Sequence, residues 1–218
     1  MNSDFHDNVS HSGFRSVQKM DLFYGKLDMD LKGLNSKVYD MWKIREELGP
    51  DYFQPSTQED IAAIKSELGA DIPDDYQEFL IEYSTVGGVP KIGAYYFKCA
   101  YKSGPVITFN HTLVPWAKLT LTAIRALHYP HRHLEGIGAR IPRELLPLSR
   151  DNECTILIDL RPATVGQILY IPQIKRQTFG TSGYGWDNIG YVADSFTAFL
   201  GALDTEKNLV AKYSLPVE

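Results

Sequence analysis

Apolar residues recur at helical spacing in the first half of the chain, most clearly in residues 72–90, IPDDYQEFLIEYSTVGGVP. Pro73 suits the first turn of a helix, because the N–H that proline lacks would have no partner there. Two glycines and Pro90 end the pattern. The stretch predicts an amphipathic helix over residues 73–84, with one apolar face toward a core. That face consists of Tyr76, Phe79, Leu80 and Tyr83.

A second helix is predicted over residues 35–48. Asn35 or Ser36 can cap its beginning, and Gly49 followed by Pro50 closes it. Its apolar stripe consists of Val38, Met41, Trp42 and Leu48.

A third helix is predicted over residues 57–68, where Ser56 and Glu59 have the spacing of a capping box. Its apolar stripe consists of Ile61, Ile64 and Leu68, and Gly69 ends it. Only a few residues separate this helix from the one at 73–84. We therefore expect the two helices to pack together as a pair.

The pattern changes to strands after Pro90. IGAYYFKCAY and PVITFN are rich in aromatic and β-branched residues, and NECTILIDL (152–160) and QILYIPQ (167–173) form two apolar runs around a turn. The second pair predicts a hairpin whose first strand is covered on both faces. A closing helix is predicted from Asp194 to Leu203. The fold class that follows is α+β, an antiparallel sheet flanked by helices. The predicted core includes Phe79, Leu80, Ile156, Ile158, Phe196, Phe199 and Leu200.

Composition is ordinary for a water-soluble globular chain, with 44% hydrophobic and 22% charged residues. No apolar run approaches the roughly 20 residues that a membrane span needs. The first residues, MNSDFHDNVSHSGF, lack the basic and then apolar plan of a secretion signal. Cys99 and Cys154 are too few for a disulfide scaffold or a zinc site. These features predict a reduced, cytoplasmic protein that has no membrane partner.

Charge is unevenly distributed along the chain. Residues 46–82 contain eleven acids and one lysine, a net charge of −10, whereas the whole chain carries −5 and the remainder therefore +5. We expect an acidic face that is unsuited to nucleic acid and suited to a basic protein partner.

Candidate chemistry is sparse. The chain has no P-loop, no GxGxxG after a strand, no nucleophile elbow and no HExxH. Pro130 interrupts the histidines of LHYPHRH, so we expect His128, His131 and His133 on a surface loop with no metal or other cofactor. We therefore predict that the protein is not an enzyme.

Two further groups of residues leave alternatives open. Asp151 and Glu153 flank the hairpin strand, where turn solvation explains them without chemistry, but Asp159 lies inside the strand and needs a partner or solvent. The aromatic residues Tyr184, Trp186 and Tyr191 lie among glycines, as in a binding loop or in an irregular connection packed by its own rings.

The order of these elements resembles the SUKH superfamily, which is named after a fungal regulator of cell-wall synthesis and is widespread among bacterial toxin-immunity proteins. The matching segments are IAAIKSELGA, IPDDYQEFL, VGGVP, LLPLSRDNECTILIDL, GQILYI and SFTAFLGAL, spread over residues 56–203. The resemblance divides the chain into an N-terminal extension, residues 1–55, and a SUKH-like domain, residues 56–218. Within the extension we expect a disordered tail followed by the helix at 35–48.

The resemblance implies a non-enzymatic protein that binds and occludes a cognate toxin, often a nuclease, whose basic groove would suit the acidic segment. The alternative is a regulatory scaffold that recruits other proteins, as the fungal relatives do. The predicted contact residues are Asp74, Asp75, Glu78, Asp151 and Glu153, with Tyr184 or Trp186 as an aromatic anchor.

Overall fold

The computed structural model describes residues 29–47, 49, 54–83, 96–109, 116–148 and 154–217. Within these residues the chain forms helices and strands in the order α1, α2, α3, α4, β1, β2, α5, β3, β4, β5, β6, α6 and α7. The helices are α1 Leu31–Leu34, α2 Ser36–Glu47, α3 Gln58–Leu68, α4 Asp74–Tyr83, α5 Ala117–Leu127, α6 Phe196–Ala202 and α7 Glu206–Tyr213. The strands are β1 Tyr96–Tyr101, β2 Gly104–Phe109, β3 Leu145–Pro147, β4 Thr155–Asp159, β5 Ile168–Ile171 and β6 Gly190–Ala193.

The six strands form one antiparallel sheet in the order β2-β1-β6-β5-β4-β3. The predicted hairpin is the β4–β5 pair, in which Leu157 lies opposite Leu169 and Ile156 opposite Tyr170. The predicted α+β class is therefore confirmed. The two strands predicted in IGAYYFKCAY and PVITFN are β1 and β2, and they pair with each other.

The main core is formed by one face of the sheet together with helices α1 to α6, of which α5 contributes Ala117 and Ile124. All seven residues predicted for the core are buried there. The ring of Phe79 meets the edge of Trp42 at a centroid distance of 5.3 Å and Phe196 at 5.1 Å. This aromatic contact joins α2, α4 and α6, because each helix turns its apolar stripe toward the same point.

A second, smaller core covers the opposite face of β4 and β5. Successive residues of a strand point to opposite faces, so Leu157 belongs to the second core while Ile156 and Ile158 belong to the main one. The prediction that β4 is covered on both faces is confirmed. The buried members of the second core are Leu127, Ile141, Leu145, Leu157, Leu169, Ile171, Ile174 and Tyr184. Besides residues of β3, β4 and β5, they come from the end of α5, from the segment that follows it and from the segment after β5. Sequence patterns did not assign these three regions to a core.

Helix α2 is joined to the rest of the fold by its cap. The Asn35 side-chain oxygen accepts from the backbone N–H of Lys37 and Val38, at 3.2 and 3.3 Å. Its amide nitrogen donates to the carbonyl oxygens of Leu200 and Leu203, both at 2.9 Å. Leu31, Val38 and Trp42 are buried in the main core. The division of the chain at residues 55 and 56 stays a prediction, and the tail expected at residues 1–16 lies outside the described residues.

The start of α3 differs from the prediction by one residue. Its capping box is formed by Thr57 and Asp60. Ser56 is buried, and its hydroxyl accepts from the backbone N–H of Ala117 at 3.3 Å, so it is not available as the cap. Gly69 ends the helix in the left-handed conformation, as predicted.

Helices α3 and α4 are not each other's main neighbours, contrary to the predicted pair. Helix α3 packs chiefly against α5, and α4 packs against α6. The reason is that α5, which sequence patterns did not identify, lies beside α3 and takes the place expected for α4. Strand β6 and helix α7 were also missed.

Candidate protein-binding surfaces

The acidic residues predicted on α4 have different environments. Asp74 is exposed in the first turn and accepts a hydrogen bond from the Gln77 side chain at 3.1 Å. Asp75 is half-buried, and its carboxylate accepts from the backbone N–H and the hydroxyl of Thr197, at 2.9 and 3.1 Å. Asp75 therefore ties α4 to the first turn of α6, where helix N–H groups need acceptors. Glu78 is half-buried. Asp151 and Glu153 lie outside the described residues.

Some acids of residues 46–82 are paired with basic or hydroxyl side chains within the fold. Glu67 accepts from the Arg125 Nε at 2.8 Å and from the Tyr129 hydroxyl at 2.9 Å. These two hydrogen bonds outweigh partial burial and hold the pKa of Glu67 below its ordinary value. Lys65 contacts Asp71 at 3.2 Å. Glu59 and Asp74 remain exposed on α3 and α4, so the negative surface is smaller than the sequence count suggests.

Asp159, at the end of β4, has the partner that its position required. Its carboxylate is 0% exposed and accepts from the Nε of Arg161 at 3.0 Å and from the Thr164 hydroxyl at 2.7 Å. Arg161 also donates its own backbone N–H, at 2.9 Å. Burial acts to raise the pKa of Asp159, but these hydrogen bonds outweigh it and lower the pKa below its ordinary value. The carboxylate therefore stays ionised and fixes the position of the guanidinium.

Trp186 lies over the outer side of this ion pair. Its side chain is 43% exposed, and the Arg161 guanidinium, itself 42% exposed, lies 4.4 Å from the ring centroid. Phe179 meets Trp186 edge to face at 5.5 Å. We call Arg161, Trp186 and Asp159 the Arg–Trp platform. Arginine and tryptophan are enriched among residues that dominate protein interfaces, and a cation over a ring holds both groups in place.

Tyr184 supports the Arg–Trp platform from inside and is not accessible to a partner as an anchor. Its ring is 1% exposed and meets Phe179 edge to face at 5.6 Å. Its hydroxyl donates to the carbonyl oxygen of Arg140 at 2.7 Å, and burial raises the pKa of this phenol to about 12. The glycine-rich segment is thus packed by its own rings, one of the two alternatives that the sequence left open.

The expectation that all three histidines are exposed is wrong for His128. Its ring is 4% exposed, and its Nε2 donates to the carbonyl oxygen of Leu145 at 2.8 Å, because α5 delivers it into the second core. Burial is the main cause that lowers the pKa of His128. His131 is half-buried and His133 is exposed. In the part of the chain that the structure describes, no three His, Cys, Asp or Glu side chains are grouped to hold a metal. That the protein needs none stays a prediction.

Arg161 is the residue that sequence reasoning missed at this surface. Its signal was present, because an acid inside an apolar strand needs a cation and Arg161 follows Asp159 by two residues. The neighbourhood of Trp186 had no such signal, since Phe179 and Arg161 reach it from different segments.

Among the described residues, every helix is too short or too polar to span a membrane.

Comparisons with known proteins indicate the family to which the chain belongs. A search of curated proteins finds no match to the chain. The sequence model of the SMI1 / KNR4 family (SUKH-1) matches residues 55–202, which is more than half of the chain and contains α3 through α6. The chain therefore belongs to the SMI1 / KNR4 (SUKH-1) family.

Proposed function

We propose that this protein is a non-enzymatic, cytoplasmic immunity protein that binds a cognate toxin and occludes its active site. The observation that carries the proposal is the charge of residues 46–82, −10 in a chain of −5, with Glu59 and Asp74 exposed on α3 and α4. Family membership supports it, because SUKH domains act through protein contacts. A nuclease toxin, whose groove is basic in order to hold phosphate, is the partner class that matches this charge.

The proposed contact surface combines charge with an aromatic anchor. Asp74 and Glu78 supply acid from α4, Asp151 and Glu153 supply acid from the segment before β4, and Trp186 supplies the anchor. Asp75 and Tyr184 hold the surface in shape, because both are already bonded within the fold. Acidic groups at the rim would raise the rate of encounter with a basic toxin. Trp186, once covered by the toxin, would slow dissociation.

The test is co-expression of the full chain with each protein encoded beside its gene, followed by cell survival and co-purification. For a toxin that is neutralised, the association rate is then measured over a range of salt concentrations. The variant Glu59→Lys/Asp74→Lys should associate more slowly and with a weaker salt dependence, because both side chains are exposed and not needed by the core. Asp40→Lys/Glu135→Lys makes the same change of +4 at two exposed acids outside the proposed contact surface, and it is the control for a general change in net charge.

Two results would contradict the proposal at different levels. If Glu59→Lys/Asp74→Lys associates as the unchanged protein does at every salt concentration, the acidic face does not steer the toxin. If a toxic neighbour is neither bound nor neutralised, the immunity function itself is wrong.

The second candidate is a regulatory scaffold. It is favoured by the N-terminal extension, because residues 1–54 precede the family match and a protein that recruits partners uses surface beyond its conserved domain. A scaffold would bind a partner without any toxin beside its gene. Co-purification of one stoichiometric, non-toxic partner by the full chain, lost when Trp186 is changed to Ala, would favour this alternative over the immunity function.

A further inference from the structure

A basic pocket lies between α5 and the segment that follows it. Its volume is about 280 Å³. The polar side chains that line it are Thr122, Arg125, His131, Arg132, His133 and Arg140. The lining residues include no carboxylate within the described part of the chain. None of them is among the residues proposed above to contact a toxin, so this inference does not depend on the proposed function.

Helix geometry brings one side of the pocket together. Thr122, Arg125 and Ala126 are spaced i, i+3 and i+4 on α5, so they share the face opposite the buried residues Ala123, Ile124 and Leu127. That face is turned toward the pocket by the packing of Ile124 into the main core and Leu127 into the second.

Hydrogen bonds hold the other side of the pocket in a fixed shape. The backbone N–H of Arg140 donates to the Leu127 carbonyl oxygen at 2.7 Å, and its Nη2 donates to the Ala126 carbonyl oxygen at 2.7 Å. The backbone N–H of His131 donates to the Ile137 carbonyl oxygen at 2.9 Å. The pocket is therefore formed before any ligand arrives, which reduces the entropic cost of binding.

The lining supplies donors of several kinds. Arg125 is anchored through its Nε by Glu67, and Arg140 is 7% exposed, so both guanidinium groups are held in position. The Nδ1 of His131 accepts the backbone N–H of His133 at 3.2 Å. A neutral His131 ring therefore carries its proton on Nε2, which makes that nitrogen a donor. Arg132 adds an exposed guanidinium at the rim.

We propose that this pocket binds a phosphate group, carried either by a small metabolite or by a phosphorylated side chain. Guanidinium forks match the paired oxygens of phosphate, and charge-assisted hydrogen bonds to ionised oxygens are the strong ones. Three arginines and two imidazoles around one small cavity provide such donors from several directions, as a tetrahedral dianion requires. The electrostatic attraction would fall with added salt, because the pocket opens to solvent at Arg132.

The experiment titrates the full chain with inorganic phosphate, ribose 5-phosphate and a phosphoserine peptide, at constant ionic strength, and follows backbone amide shifts by NMR. The unphosphorylated peptide is the reference. We expect saturable binding with the largest shifts at the amides of residues 131–133. Tighter binding of ribose 5-phosphate than of the peptide identifies a metabolite as the source, and the reverse order identifies a phosphorylated protein.

The variant Arg132→Gln removes one guanidinium at the exposed rim and should weaken binding about tenfold, the loss expected for one charge-assisted contact. Arg176→Gln is the matched control, since it makes the same change at an exposed arginine that does not line the pocket. The proposal is overturned if no phosphate probe binds saturably, or if both variants weaken binding equally.

Discussion

Loss of Arg161 should destabilise the protein more than loss of the charge on Asp159. In Arg161→Gln the Asp159 carboxylate stays buried and loses its cation, which typically costs about 3–5 kcal/mol. We expect the lower end, about 3 kcal/mol, because Thr164 and a backbone N–H still bond the carboxylate. In Asp159→Asn the guanidinium left over is 42% exposed and can be hydrated, so the loss should be about 1–2 kcal/mol.

The pH dependence tests the same argument. The pKa of Asp159 in the folded protein lies below its unfolded value, so the ion pair stabilises the fold above about pH 4, and this contribution is lost as the pH falls through the folded pKa. Asp159→Asn has no carboxylate at this position. Its free energy of unfolding should therefore fall less than that of the unchanged protein when the pH drops below about 4. Arg161→Gln should approach the unchanged protein as acid protonates the carboxylate.

The assay is urea unfolding of both single variants and the double variant at neutral and acidic pH. The double variant should lose less free energy of unfolding than the two single variants lose together, because Asp159→Asn removes the buried charge that Arg161→Gln leaves without its cation. Additive losses, or a larger loss in Asp159→Asn than in Arg161→Gln, would refute the reasoning that a buried carboxylate positions Arg161.

Two further predictions concern the cores. Phe79→Ala should lower the free energy of unfolding by roughly 3–5 kcal/mol, because Phe79 is fully buried against Trp42 and Phe196. A melting temperature within a degree or two of the unchanged protein would contradict the core assignment. The pKa of His128 is lower in the folded protein than in the unfolded chain, where it is about 6.5. As the pH falls below about 6.5 the unfolded chain binds the proton first, so the free energy of unfolding should decrease until the pH reaches the folded pKa. His128→Gln should flatten this slope in denaturant melts and the exposed control His133→Gln should not; equal slopes in both variants would contradict it.

Periodicity predicted the elements that bury one continuous stripe. Helices α2, α3 and α4, the β4–β5 hairpin and α6 were all identified, because their apolar spacing records which face meets the core. The burial of Phe79 and Phe199 followed from the same signal. Helix α5 was not predicted, although its buried residues recur at helical spacing: Ala117, Thr120, Ala123, Ile124 and Leu127. Helix α7 buries only Leu209, which leaves a short stripe and a weak signal.

The candidate surfaces needed the tertiary structure. A side chain's exposure depends on segments distant in the chain, so Asp75 looked like a surface acid until Thr197 was placed beside it. For the same reason His128 was expected on a surface loop and Tyr184 was a possible anchor, and both are buried beside the second core. The amino-acid sequence by itself determined the helices and strands with a continuous apolar stripe, the main core and the family. Only the tertiary structure decided which polar groups are bonded within the fold and which face solvent, because those contacts join residues that no local pattern relates.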